Sequence, residues 1–265
     1  MSLALSRPSR ILVLCGNDAP PVTAANVYAD KLAHHDIRFL EEQVLSPGRI
    51  LKFSRRRLRA KGLPSLLGTY LYYGLQLLSP VRVPEKTYTP ELVSRDFSTD
   101  PDVKAFVRDF NPEVILIGFC GLLSEEFLQR SPCAVYNIHP GINPRYRGFG
   151  NIWALRENNL DCLGFTIHEV DAGTDTGRRV AVVPLSVADD LADVPFAELD
   201  AHVAGLAAAH LSQLLQGQAE AAVPEAFTDL PSVLYGAPTL SVCREAQRNF
   251  NRAVNRTALP QRGAA

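Results

Sequence analysis

At 265 residues, with 27 Lys and Arg against 28 Asp and Glu and a formal charge of −1, the chain has room for one α/β core with an appendage. It carries no positive field to gather nucleic acid, so a tRNA-sized polyanion is not an expected partner. The five cysteines (Cys15, Cys120, Cys133, Cys162, Cys243) are odd in number and mostly embedded in apolar runs, which excludes a disulfide framework and points to a reducing cytoplasm. No CxxC or His-rich cluster has zinc spacing, and residues 1–10 lack the apolar core and cleavage site of a secretion signal, so no metal and no secretion are expected.

Ile11 to Cys15 is a continuous apolar run ending in Gly16-Asn17-Asp18, the pattern of a buried parallel strand leading into a turn. Pro20 and Pro21 open a segment, Val22 to Ala33, whose spacing suits a helix with proline in its first turn, and Asp36 to Leu40 supplies the next strand. Residues 45–100 read as an irregular insertion, with Pro80, Pro84 and Pro90 marking loops. Inside it Arg55, Arg56, Arg57, Arg59 and Lys61 precede the apolar stretch Leu66 to Leu78, too short and interrupted to span a bilayer. The plainer expectation is a solvated basic turn leading into a helix packed on the sheet; the alternative is an interfacial patch with weak affinity for a membrane or an anionic substrate.

From Asp102 the pattern is regular: a helix to Phe110, a buried strand Val114 to Phe119, a loop Phe119 to Ser124, and a strand Ala134 to His139. Phe165 to Val170 is a strand running into the glycine-bearing loop 171–177, and the run Val180 to Val183 follows. Alternation of helix and strand predicts a doubly wound, mostly parallel α/β sheet over residues 1–190, with ligands beyond the carboxyl ends of its strands. Residues 191–265 read as a helical extension. It comprises an Ala/Leu-rich helix from Pro195 to Leu215 with a candidate homodimer face at Val203 to Leu215, a proline-bearing tail, a short polar helix from about Val242, and a disordered end.

The chemistry concentrates in Asn137-Ile138-His139-Pro140-Gly141-Ile142-Asn143-Pro144-Arg145-Tyr146-Arg147-Gly148. Period-two geometry puts Asn137 and His139 on one strand face, and Pro140 ends the ladder so that a shaped loop follows. Asp175, in the loop after the next strand, offers a carboxylate that raises the proton affinity of an imidazole and orients it. An amide, an imidazolium and a carboxylate together suit acyl transfer without a Ser or Cys nucleophile. His168 lies mid-strand and reads as structural rather than as a metal ligand, and Trp153 reads as a core anchor. Arg145, Tyr146 and Arg147 read as loop-shaping, one of them within reach of an acceptor phosphate.

The two motifs NIHPGINPRYRG and GFTIHEVDAGTDTG, in this order and spacing, resemble the folate-dependent formyltransferase family, which includes glycinamide ribonucleotide, methionyl-tRNA and nucleotide-sugar amine formyltransferases. The likeness covers about residues 102–185. It implies a Rossmann-like formyltransferase fold and 10-formyltetrahydrofolate as cofactor. By that likeness Asn137 and His139 would donate hydrogen bonds to the formyl oxygen, His139 would carry a proton, and Asp175 would set the charge of His139 and accept the amine's proton. Phe119, Cys120, Leu122, Leu123, Val170, Asp171, Gly173 and Thr174 would cradle the pterin; Arg147, Phe149, Gly150 and Asn151 would face the acceptor. Asp18 with two prolines, where a glycinamide ribonucleotide enzyme places its phosphate loop, argues against that acceptor. The residues after Gly217 argue against the β-barrel of a methionyl-tRNA enzyme. The remaining expectation is a small-molecule amine, an amino sugar linked to a nucleotide. A formyl-folate hydrolase and an inactive folate- or nucleotide-binding protein stay open as alternatives.

Overall fold

The computed structural model describes residues 3–43, 47–78 and 81–258; Pro80 and the tail beyond residue 258, both read above from the sequence, lie outside these. The elements in chain order are β1 (Arg10–Gly16), α1 (Ala19–Lys31), β2 (Asp36–Glu42), α2 (Pro47–Leu78), β3 (Leu92–Ser94), α3 (Pro101–Phe110), β4 (Val114–Gly118) and α4 (Glu125–Arg130). After them come β5 (Val135–His139), β6 (Arg147–Gly148), α5 (Gly150–Arg156), β7 (Gly164–Glu169), β8 (Arg179–Pro184), α6 (Leu199–Leu215), β9 (Leu234–Tyr235) and α7 (Leu240–Ala258).

Seven strands form one sheet in the order β3-β2-β1-β4-β5-β7-β8. The first five are parallel, while β7 runs antiparallel to both β5 and β8. Both faces of β1 are buried, which explains its unbroken apolar run. Ile11, Val13 and Cys15 join a cluster with Ala24, Ala25 and Tyr28 of α1, whereas Leu12 and Leu14 join Val103, Val107 and Phe127 of α3 and α4 on the other face. Each such fully buried aliphatic side chain contributes about 1.5–3 kcal/mol.

Three expectations from the sequence are corrected. The 45–100 stretch is not irregular: α2 occupies 32 of its residues, broken at Gly62 (φ 73°) just before Pro64. Gly62 takes the left-handed conformation that L side chains resist, and Pro64 cannot continue the amide ladder, so the helix folds into two arms. The basic stretch is not a turn either but part of the first arm of α2; Arg55, Arg59 and Lys61 are exposed, whereas Arg57 is buried and its Nη1 donates to the Ala237 carbonyl at 2.7 Å. Second, the apolar residues of α6 are not an exposed stripe: Val203, Ala204, Ala207, Ala208 and Leu211 are buried in the same cluster as α1 and β1. Third, α7 is a 19-residue amphipathic helix rather than a short polar one. Phe250, Ala246 and Cys243 of α7 enter the main core, and Asn249 Nδ2 caps α5 through the Leu155 carbonyl at 2.9 Å.

Candidate active site

The strand order reverses between β1 and β4, and a doubly wound sheet opens a crevice at such a point. A cavity of about 370 Å³ lies there, beyond the carboxyl ends of β1, β4 and β5. Asn137, His139 and Asp175 all line it. The sequence expectation that one strand and one distant turn deliver these three side chains to one place is met.

The contacts define what each can do. His139 Nε2 lies 2.7 Å from the Tyr146 carbonyl oxygen. A carbonyl only accepts, so Nε2 carries the hydrogen and Nδ1 is left to face Asp175 Oδ2 at 3.4 Å. Asp175 adopts a left-handed backbone (φ 52°), a conformation Asp tolerates better than most residues, and its Oδ2 accepts from the Gly148 N–H at 2.8 Å. Asn143 Nδ2 holds the Asp175 carbonyl at 3.2 Å, so both ends of the residue are pinned.

Antiparallel pairing sets Asn137 directly opposite His168. His168 Nδ1 donates to the Glu169 carbonyl at 2.8 Å, so its Nε2 is an acceptor for Asn137 Nδ2 at 3.1 Å. The same amide nitrogen reaches Asp175 Oδ1 at 3.5 Å, a long contact whose hydrogen is available to a ligand. His168 therefore lines the cavity and orients Asn137, a role its mid-strand position alone did not reveal.

Burial lowers the proton affinity of His139, and it outweighs the opposing pull of Asp175 and of the Tyr146 carbonyl. The imidazole is therefore neutral at pH 7. This corrects the expectation of a raised proton affinity and a resident imidazolium. Burial pushes the Asp175 carboxyl up, but His139, His168 and the Gly148 N–H together bring it down to about 2, so Asp175 is ionised.

The loop between β5 and α5 presses on His139 through two glycines. A Cβ on Gly150 would stand 2.5 Å from the Pro140 carbonyl oxygen and 2.7 Å from the Gly141 Cα, and a Cβ on Gly141 would stand 2.9 Å from His139 Nε2. Replacing Gly150 with alanine is expected to displace the imidazole and lower turnover about 100-fold, the usual effect of a displacement near 1 Å. A steady-state assay of G150A, with circular dichroism to confirm folding, checks this.

The residues assigned by resemblance to the pterin separate in the structure. Phe119, Cys120, Leu122, Leu123, Val170, Gly173 and Thr174 line the cavity. Phe119 has φ 56°, and this left-handed turn takes the chain out of the sheet so that the 119–123 loop borders the cleft. Buried Glu42 fixes the loop, accepting from the Gly121 N–H at 2.6 Å and the Phe97 N–H at 3.2 Å. Asp171 does not line the cavity: its Oδ1 accepts from the Gly173 N–H at 3.0 Å and the Thr176 hydroxyl at 2.6 Å, and so builds the turn that holds Asp175.

Of the residues expected to face the acceptor, Phe149, Gly150 and Asn151 line the cavity and Arg147 does not. Arg147 Nη1 donates to the Thr174 carbonyl at 3.1 Å, which turns the guanidinium to the back of the 171–177 loop. Arg145 and Tyr146 shape their loop by bonding Glu157 at 3.1 and 2.9 Å. Trp153 Nε1 donates to the Gly236 carbonyl at 3.0 Å, anchoring α5 to the segment before α7.

Asp18 before α1, which the sequence set at the acceptor side, lines the cavity together with Asp200 in the first turn of α6, a residue that sequence reasoning missed. Packing of α1 on α6 brings the two together across 182 positions of sequence. Burial, with the charge of Asp18 added, raises the Asp200 carboxyl to about 6. A raised carboxyl binds its proton more tightly when folded, so it costs stability at pH values above about 6 and less as the pH falls toward 4. The D200N variant is expected to be about 2 kcal/mol more stable than the parent at pH 8 and to lose that advantage near pH 4, read by thermal unfolding at both pH values.

The Formyl transferase family model matches residues 71–204, just over half of the chain. A methionyl-tRNA formyltransferase of Thermotoga sp. (strain RQ2) is 28% identical over 119 residues, 43% of this chain and 38% of its own length. One from Chlamydia caviae is 27% identical over 179 residues, 67% of this chain and 49% of its own length. The chain thus spans between about a third and a half of these curated relatives. A sugar N-formyltransferase of a Shewanella species shares the fold, with a TM-score of 0.50, 17% identity, and coverage of 91% of this chain and 87% of its own. With an Asn, His and Asp converging at the switch point of such a sheet, and a matching family model across the strands that deliver them, the chain belongs to the formyl transferase family.

Proposed function

We propose that the chain transfers a formyl group from 10-formyltetrahydrofolate to the primary amine of a small molecule, an amino sugar linked to a nucleotide. The observation that carries the donor half is the convergence of Asn137, His139 and Asp175 beside a slot walled by Ile117, Leu123 and Val170 and edged by the 119–123 backbone. A flat heterocycle with polar edges fits a slot of that chemistry. Bound there, the folate supplies the formyl group.

The side chains then divide the work. The free hydrogen of Asn137 Nδ2 faces the charge that develops on the formyl oxygen. His139 Nδ1, left unprotonated by the Nε2–Tyr146 bond, takes the proton that the attacking amine gives up, and Asp175 stabilises the imidazolium so formed across 3.4 Å. Returning that proton to the departing nitrogen of the donor restores the starting state.

The acceptor half rests on charge. Among the described residues the cavity lining holds Asp18, Asp175 and Asp200 and neither Lys nor Arg. Carboxylates accept hydrogen bonds from the hydroxyls and the amine of a sugar and repel a phosphate, so the phosphate groups of the acceptor lie outside the cleft. The volume, about 370 Å³, lies near the low end for small-molecule sites and suits a sugar ring at the pterin head without the nucleotide. The Shewanella neighbour is named for a sugar acceptor.

Incubation with 10-formyltetrahydrofolate and a panel of amino-sugar nucleotides, followed by mass spectrometry, tests both halves. Formylation of one panel member, with deformylation of the folate only when that amine is present, is the expected result. Deformylation at the same rate without any amine identifies a hydrolase, and folate binding with neither reaction identifies an inactive binder.

A further inference from the structure

The two arms of α2 carry a surface that the chemistry of the cleft does not use. Between residues 43 and 84 the chain has eight of its 27 Lys and Arg and none of its 28 Asp and Glu, so a strongly basic segment sits in a chain that is otherwise acidic. Eight of the twelve large apolar side chains exposed among the described residues also fall in this stretch, seven of them from Leu51 to Tyr73, a concentration that scattered single exposures do not give. Leu63, Leu67 and Leu71 are 55%, 59% and 54% exposed, and Arg55, Arg59 and Lys61, on the arm before Gly62, are exposed as well.

The opposite side of the same element is fastened to the enzyme. Arg57 Nη1 bonds the Ala237 carbonyl at 2.7 Å, the Thr69 hydroxyl bonds the Pro238 carbonyl at 3.2 Å, and at Gly68 a Cβ would already stand 3.3 Å from the Thr239 side chain. The leucines are therefore held outward by a fixed platform. Tyr73 lies close enough to Asp18 and Asp200, which line the cleft, to feel their charges, so the platform adjoins the acidic end of the cavity.

We infer that this face of α2 docks on the headgroup region of a bilayer rich in anionic lipid. Leucines and tyrosines interleaved with Arg and Lys, with no acidic residue among them, match an interface that is apolar below and negative above. No described helix is long and apolar enough to cross a membrane, so the contact is with the surface. A second copy of the chain is a poor occupant, because a two-fold contact would set the same basic residues against one another. A soluble anion would engage the Arg and Lys but gives no role to the leucines. The surface is independent of the acceptor reading, since its occupancy is measured without turnover.

Flotation of the full chain with phosphatidylcholine vesicles, with and without phosphatidylglycerol, tests the inference. Binding to the phosphatidylglycerol vesicles, weak binding to pure phosphatidylcholine and loss at high salt are expected. Each basic side chain near such a surface is worth about fivefold in partitioning, so the R55E/R59E/K61E variant is expected to bind at least about 100-fold more weakly. L63S/L67S/L71S is expected to lose binding as well, with the unfolding midpoint of both variants near that of the parent. Absence of binding to phosphatidylglycerol vesicles, or binding that neither variant weakens, overturns the inference. So does a dimer in light scattering that the leucine variant dissociates while vesicles remain unbound.

Discussion

Replacing His139 with alanine lowers the turnover of formyl transfer roughly 1,000-fold while the Michaelis constant for the folate changes little. The magnitude is that of losing a positioned general base, about 100- to 10,000-fold. The argument rests on one hydrogen position. Because Nε2 is committed to the Tyr146 carbonyl at 2.7 Å, only Nδ1 can exchange a proton in the cleft, and it does so facing a carboxylate. Burial keeps that imidazole neutral below its ordinary value of 6.5, so the parent enzyme's turnover falls on the acid side with a midpoint below that value and is level from there to neutral pH. H139A has lost the group responsible, and its residual rate lacks this acid limb. The pH profile separates loss of a base from a packing defect, which would lower the whole curve without changing its shape.

Asp175→Asn has an effect of similar or greater size, about 1,000- to 10,000-fold on turnover, and carries a second signature in stability. Asn keeps an oxygen to accept from Gly148 N–H but removes the charge that stabilises the imidazolium across 3.4 Å. The Asp175 carboxyl is held near 2, below its ordinary 3.8, by His139, His168 and the Gly148 N–H acting against burial. A depressed carboxyl contributes stability that is fully present above about pH 4 and is lost as the pH falls toward 2. The parent is therefore expected to be about 2 kcal/mol more stable than D175N at pH 7, with the two converging as the pH falls toward 2 in urea unfolding. Lost activity with unchanged stability would mean that the carboxylate acts on the substrate alone and is not coupled to the two histidines.

The parts of the fold legible in the sequence are those where one local pattern settles the matter. Strands buried on both faces must be continuously apolar, which exposed β1 and β4, and the two-residue period of β5 put Asn137 and His139 on one face. Asp175 was found through the glycine-bearing turn that must follow a strand. What stayed hidden depends on partners far away in sequence. His168 entered the site because β7 turns antiparallel beside β5, a pairing that no periodicity in either strand encodes. Asp18 and Asp200 meet only because α1 packs on α6. Arg147 was misplaced because the sequence of its loop does not say which way a long side chain leaves it, and the Thr174 carbonyl draws it to the back of the turn. The stretch 45–100 read as irregular because its prolines at 80, 84 and 90 mark loops, yet ahead of them α2 forms, and a single left-handed residue, Gly62, absorbs its break and lets helix continue on both sides.

The most direct test of the central claim is the rate at which 10-formyltetrahydrofolate loses its formyl group in the presence of an accepted amino-sugar nucleotide, compared between the parent and H139A. Amine-dependent loss in the parent, reduced about 1,000-fold in the folded variant, is the result the cleft geometry predicts. Equal rates in the two proteins would place the chemistry somewhere other than the side chains of Asn137, His139 and Asp175.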